Sequence, residues 1–338
     1  LSARTWVLYW ETPLGKAFRK WLDLTGNVWL RNAMDVFSRG KPDPRSNRIV
    51  KSRDGSLVDI SDQEHSDFLK SPLTKSSGGP KGKKVTGRLR YKLLNLAWRQ
   101  ILGKLGTKNE AAGKVRVFAM VDPYTQWILR PLHEAIFQLL KWIYQDGTHN
   151  QVKPLKVLLR RQEELRKQNR APGDRLTGWY RLGDRYPSKV YSLYSFDLTA
   201  ATDRLPLLIQ IALLVPVLGL ELAQAWGTIL VGRDYYISLK DEHGVSELTP
   251  KRYSTGQPMG ALSSWAMLAL THHCVVQWAW YRVCTQDRRK WSWYPDYAVL
   301  GDDVVIMGGR VADAYVAIMT GLRVGIGSHK SLVSRNGS

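Results

Sequence analysis

An α/β fold of the α+β type, a small antiparallel sheet backed by helices, is what this sequence predicts. Three observations carry that expectation. Residues 190–198 (VYSLYSFDL) and 297–307 (YAVLGDDVVIM) are β-branched and aromatic runs, and a Gly-led turn folds the second into a hairpin. Between them, residues 205–220 and 261–281 are apolar stretches of helical length. The 338 residues, 44% hydrophobic, suffice for one large domain or two to three subdomains, and fourteen Trp and fifteen Tyr exclude wholesale disorder.

Charge narrows the partners. Fifty Lys and Arg against twenty-nine Asp and Glu leave a net +21. Such an excess opposes compaction unless something anionic neutralises it, and nucleic acid is the usual partner. No basic helix with a clean apolar face points to a membrane surface instead. The two cysteines, Cys274 and Cys284, fit no zinc or redox spacing and imply a reducing compartment. Residues 261–281 carry no Asp, Glu, Lys or Arg and are long enough to span a bilayer, but the pair His272-His273 with Ser, Thr and Gln favours a buried helix. Residues 205–220 are short and broken by Pro206 and Pro216, so no membrane span is expected.

The elements follow in order. Residues 1–37 read as a Trp-rich helical segment. Residues 38–92 turn to Pro, Gly, Ser and charge, and 70–92 hold eight basic residues and no acidic one, a flexible basic loop or linker. Residues 114–121 (KVRVFAMV) alternate as a strand. A helix over 123–145 follows, with Pro at its start and Ile128, Leu132, Ile136, Leu139 and Leu140 on one face. Residues 153–170, with seven basic and two acidic residues, predict an exposed helix. The strand at 190–198, an apolar helix pair, a polar turn near 241–244, a loop at Gly256, the uncharged helix and the hairpin complete the chain.

Chemistry-bearing residues sit at the joints. The hairpin tip holds Asp302 and Asp303, adjacent carboxylates on opposite sides of the pleat, which invite a cation. Gly-Asp is also ordinary turn chemistry. In FDLTAATDRLP, Asp197 ends a strand among Val190, Leu193, Phe196 and Leu198, where a buried unpaired carboxylate is costly. Asp203 opens the apolar helix, a position the helix dipole favours. If that strand pairs beside the hairpin, Asp197 and Asp302 converge, and carboxylates with water and substrate phosphates are how proteins hold Mg²⁺. In STGQPMGALSS, Gly256 and Gly260 permit close approach, and Ser263 and Ser264 are hydroxyl donors in the first turn of a helix. Lys114 and Arg116 share a strand face able to grip a triphosphate, or simply to meet water. Lys330 is placed to donate a proton to leaving pyrophosphate, or is a plain surface lysine.

Taken in order, these pieces match the palm of a right-hand nucleic-acid polymerase. The blocks AGKVRVFAMVDPYTQWILRPLH, DGTHNQ, SFDLTAATDRLP, GQPMGALSSWAMLALTHH, LGDDVVI and KSLVS resemble those of the mitovirus (narnavirus-like) RNA-dependent RNA polymerases, between Leu102 and Ser334. The resemblance implies fingers over 93–189 and a palm over 190–338 that stops before a thumb. It implies template-directed ribonucleotidyl transfer, with Asp197, Asp302 and Asp303 holding two Mg²⁺ ions, or Mn²⁺. Asp203 would select the ribose 2′-hydroxyl. Gly256, Ser263 and Ser264 would read template and sugar, Lys114 and Arg116 would hold the triphosphate, and Lys330 would be the general acid. RNA template and product and ribonucleoside triphosphates are the implied partners, and mitochondria the implied location; copies of such elements occur in plant genomes. Ser263-Ser264 stand where many positive-strand RNA polymerases place Asn, and Glu110-Ala111-Ala112-Gly113-Lys114 stands for an expected Glu-Pro-Ala-Gly-Lys. Two alternatives stay open: a reverse transcriptase of intron or retroelement type, which usually carries Ala-Asp-Asp, and a captured, catalytically silent copy that only binds RNA.

Overall fold

The computed structural model describes residues 6, 9–27, 30, 49–51, 57–59, 101–109, 115–168, 192–240, 246–327 and 331–334. Along the chain run α1 (Pro13–Leu24), β1 (Ile49–Lys51), β2 (Leu57–Asp59), β3 (Gly103–Asn109), β4 (Val115–Val121), α2 (Pro123–Trp142) and α3 (Lys153–Gln168). Then come β5 (Leu193–Thr199), α4 (Ala201–Arg204), α5 (Leu207–Leu218), α6 (Leu220–Val231), β6 (Tyr235–Lys240) and β7 (Ser246–Lys251). Last are α7 (Ser264–Gln286), β8 (Tyr297–Leu300), β9 (Asp303–Met307), α8 (Gly309–Gly321), β10 (Gly325–Ile326) and β11 (Leu332–Ser334). They form two compact units, Leu1–Thr125 with Leu218–Arg252, and Gln126–Val217 with Tyr253–Ser338.

In the first unit, Thr12 caps α1 by accepting from the Gly15 N–H, and Pro13 opens the helix. Leu14, Phe18, Trp21 and Leu22 recur at helical spacing and are buried. This face packs on α6. The sheet runs β4-β3-β6-β7, antiparallel except where β3 meets β6. Its buried corner is polar. Arg233, with no exposed side-chain surface, donates to Asp122 Oδ2 at 2.7 Å, Thr125 Oγ1 at 2.9 Å and the Leu102 carbonyl at 3.2 Å. Trp6 Nε1 donates to Asp122 Oδ1 at 2.8 Å.

The second unit holds the small antiparallel sheet the sequence predicts, ordered β10-β5-β9-β8 with β11 also on β5. Helices α7 and α8 cover it: Val276, Ala279 and Val283 of α7 join Val299 and Ile306 of the hairpin and Tyr315 of α8 in one core. Fifteen residues of α7 are buried, so the helix needs no charged face; that accounts for its uncharged run. Helix α3 seats Leu158 against Leu193, Ala298 and Met307 and turns its charged side outward.

Some local expectations shift. Helix α2 ends at Trp142 rather than 145, and Leu139, at the edge of its buried stripe in the last turn, is 48% exposed. Strand β5 starts at Leu193. The basic loop at 70–92 and the polar turn at 241–244 lie outside the described residues. Among the described residues no helix is long and apolar enough to cross a membrane.

Candidate active site

Strand β5 pairs with β9 in a register that sets Asp197 directly opposite Asp303, one residue from Asp302 in the turn. The strand thus pairs beside the hairpin, as the site required. Opposite register positions place the two residues on one face of the sheet. Asp197 is half-buried rather than enclosed: Leu193 packs into one core cluster, and Leu198, with Phe196 against it, into another. Asp302 is likewise half-buried and Asp303 exposed. The Gly327 N–H donates to the Asp197 carbonyl at 2.8 Å, and a Cβ at Gly327 would stand 3.1 Å from Asp197 Oδ2. Glycine there keeps the carboxylate uncrowded.

The turn is held from below. Gly301 has φ +61°, the left-handed region that favours glycine, and a Cβ would meet Trp265 Nε1 at 3.0 Å. Its carbonyl lies 2.8 Å from His272 Nδ1, and His272 Nε2 lies 2.7 Å from the Tyr315 hydroxyl. A carbonyl only accepts, so Nδ1 carries the proton and Nε2 accepts from Tyr315. The adjacent His273 reaches the Tyr297 hydroxyl at 2.9 Å and Asp146 Oδ2 at 3.0 Å. Sequence reading used this pair only against a membrane span. Two histidines inside an uncharged apolar helix were the available signal, since such a helix hides polar groups only when they are bonded.

Burial lowers the His272 pKa to about 4, with the Gly301 carbonyl opposing and His273 adding to the fall. Its folded value therefore lies below the unfolded ~6.5, so the stability it contributes is complete above pH 6.5 and is lost as pH falls toward 4. The loss should reach about 3 kcal/mol. Denaturant midpoints measured between pH 7.5 and 4.5 should fall in the wild type and fall less in His272→Gln.

The glycine loop is stitched to the Asp203 segment. The Gly256 N–H donates to the Asp203 carbonyl at 3.0 Å and the Gln257 N–H to the Thr202 carbonyl at 2.9 Å. A Cβ at Gly256 would fall 2.2 Å from the Thr202 oxygen, so no other residue fits without moving backbone. Gly256→Ala should therefore displace the loop and cost about 2–4 kcal/mol, read as a lowered melting temperature. Asp203 stays exposed, yet desolvation by the protein beside its carboxyl raises its pKa, with Arg204 opposing. The Tyr253 hydroxyl is pushed up by burial and by the Asp203 charge.

Ser263 and Ser264 do not present free hydroxyls in the first turn of α7. Both are buried; Ser264 Oγ donates to the Pro258 carbonyl at 2.8 Å, and Ser263 caps the helix in the left-handed region, φ +70°, without a side-chain cap bond. Packing of the loop over itself draws these side chains inward. Two residues of α2 that sequence reading passed over hold this loop: Gln126 accepts from the Leu262 N–H at 2.7 Å and donates to the Gly260 carbonyl at 3.0 Å, and His133 Nδ1 accepts from the Ser263 N–H at 3.1 Å.

The second unit thus contains Asp197, Asp203, Gly256, Ser263, Ser264, Asp302 and Asp303. Arg116 lies on β4 of the first unit, exposed and opposite Lys108. Lys114 and Lys330 lie outside the described residues. Among the described residues no three or more His, Cys, Asp or Glu side chains form a ready metal cluster. Mg²⁺ does not require one, since it typically takes one or two carboxylates and completes its shell with water and substrate phosphate, and the all-oxygen donors of Asp197, Asp302 and Asp303 suit it.

Comparison with known proteins shows the family. The mitovirus RNA-dependent RNA polymerase family matches residues 67–168 and 179–337. The RNA-directed RNA polymerase of Cryphonectria parasitica mitovirus 1 is 37% identical over 234 residues, 69% of this chain and 24% of that protein. An uncharacterized mitochondrial protein of Arabidopsis thaliana is 32% identical over 201 residues, 59% of this chain and 66% of that one. Among solved structures, apo telomerase from Candida tropicalis truncated from its C-terminal domain aligns with a TM-score of 0.45 at 14% identity, over 69% of this chain and 50% of that one. The chain spans about a quarter of the mitovirus polymerase it matches. With the family matched over most of its length, this chain belongs to the mitovirus RNA-dependent RNA polymerases.

Proposed function

We propose that this chain carries the palm of an RNA-directed RNA polymerase, working on an RNA template with ribonucleoside triphosphates. The observation that carries the reading is Asp197 on β5 set opposite Asp303, the chain neighbour of Asp302 in the hairpin turn. In this reading residues 93–189 serve as fingers and 190–338 as palm. Asp197 and Asp302 hold the metal, with Asp303 alongside. Two Mg²⁺ ions bound there would supply charge stabilisation for the attacking and leaving oxygens of an in-line displacement. Asp203, stitched to Gly256, faces the sugar; its pKa, raised by desolvation, readies the carboxyl to hydrogen-bond a ribose hydroxyl. Ser263 and Ser264 act through the shape of the loop, since the Ser264 hydroxyl is engaged internally. Arg116 and Lys114 grip the triphosphate, and Lys330 protonates the pyrophosphate. The mitochondrial relatives in Arabidopsis support a mitochondrial location.

Primer extension on an RNA template tests this. Extension should need divalent metal, stop on chelation, and prefer ribo- over deoxyribonucleotides. Preference for deoxyribonucleotides would make it a reverse transcriptase. RNA binding with no extension at any Mg²⁺ or Mn²⁺ concentration would leave an RNA-binding copy.

A further inference from the structure

Besides the carboxylates, the second unit carries a concave site of about 270 Å³ at the junction of α2 and α3. Trp142 and Tyr144 line it and are 82% and 79% exposed, an unusual cost for large aromatics. Lys141 and Lys153 stand at its rim with His149 and Asn150, and Lys153 Nζ lies 5.7 Å from the Tyr144 ring centre. The one carboxylate in the lining, Asp146, has a buried side chain bonded to His273, so the opening is cationic. From that rim Lys153, Lys156 and Arg160 recur at i, i+3 and i+7 along the exposed face of α3. Trp293, 45% exposed, extends the aromatic side, its Nε1 donating to Gln145 Oε1 at 3.4 Å.

Stacking surfaces beside a row of cations are how proteins track single-stranded nucleic acid. The cavity is smaller than the roughly 300–1,000 Å³ pockets that enclose a whole small ligand, which suits one nucleotide of a strand. We propose that Trp142 and Tyr144 stack bases of single-stranded RNA while Lys141, Lys153, Lys156 and Arg160 follow its phosphates. Charge decides between occupants: a cationic rim with a cationic stripe repels a second copy of this +21 chain and attracts a polyanion. The inference takes only its ligand class, RNA, from the proposed function.

The test is anisotropy of a labelled single-stranded RNA carrying 4-thiouridine, without nucleotide or divalent metal. Binding and extension are thereby read separately, and Asp302→Asn should bind as wild type does. Trp142→Ala with Tyr144→Ala should weaken single-strand binding by about thirtyfold or more and leave duplex RNA binding unchanged. The paired Phe substitutions should restore it. Lys153→Ala, Lys156→Ala and Arg160→Ala together should flatten the salt dependence by about 2 in log–log slope, at roughly 0.7 per phosphate. Photocrosslinks should map to Trp142 or Tyr144. Unchanged affinity with crosslinks elsewhere would overturn the proposal, as would an aromatic pair whose loss changes sedimentation mass rather than RNA binding.

Discussion

Asp302→Asn should lower primer extension by about a thousandfold while leaving folding and RNA affinity in place. The substitution keeps size and shape and removes only charge. Asp302 sits half-buried in the turn, and the turn's conformation rests on other atoms: the left-handed Gly301, and its carbonyl bonded to His272. Loss of the charge removes one anionic oxygen from the proposed metal site. Lewis-acid stabilisation of a phosphoryl transition state is worth several kcal/mol, and each ~1.36 kcal/mol is tenfold in rate. Residual extension should shift to higher Mg²⁺. Melting temperature should hold, because neither of those supports of the turn involves the Asp302 side chain. Full activity in this variant would remove Asp302 from the metal site. Asp203→Asn makes a useful contrast: it should change the preference for ribo- over deoxyribonucleotides more than the rate, because its carboxyl is assigned to the sugar.

The parts of this architecture written locally in the chain were legible in it. Strand β5 and the hairpin declare themselves by β-branched runs and a glycine turn, and α7 by an uncharged run that only burial on nearly all sides explains. The pairing of β5 with β9 could be stated as a condition of the site, but its register could not, since register depends on tertiary packing. Side-chain direction was less legible still. Ser263 and Ser264 look like donors at a helix start, yet the loop folds over them. His272 bonds to Gly301 and Tyr315, partners 29 and 43 positions away, and no periodicity encodes such a pairing. Nothing local marks Gln126 and His133, because their partners in the glycine loop lie more than a hundred positions on.

Arg233 shows the same remoteness with a larger energetic consequence. Its guanidinium meets Asp122, 111 positions back, with both side chains fully buried. Arg233 also donates to the Leu102 and Ile229 carbonyls and to Thr125, so its hydrogens are spent on acceptors from several elements. Asp122 in turn accepts from Trp6 Nε1, the Thr125 hydroxyl and the Thr125 N–H. Arg233→Met should destabilise the first unit by about 3–5 kcal/mol, because Asp122 is left as a buried charge without its counter-ion. That is a large part of a typical domain's ~5–15 kcal/mol, so the variant should unfold at markedly lower denaturant or fail to accumulate. Arg233→Met combined with Asp122→Leu should cost clearly less than the single change, because buried ion pairs replaced together by apolar side chains are often near neutral. The comparison separates two causes. If the double variant is as unstable as the single, the cost lies in the carbonyls that Arg233 no longer satisfies rather than in the uncompensated charge.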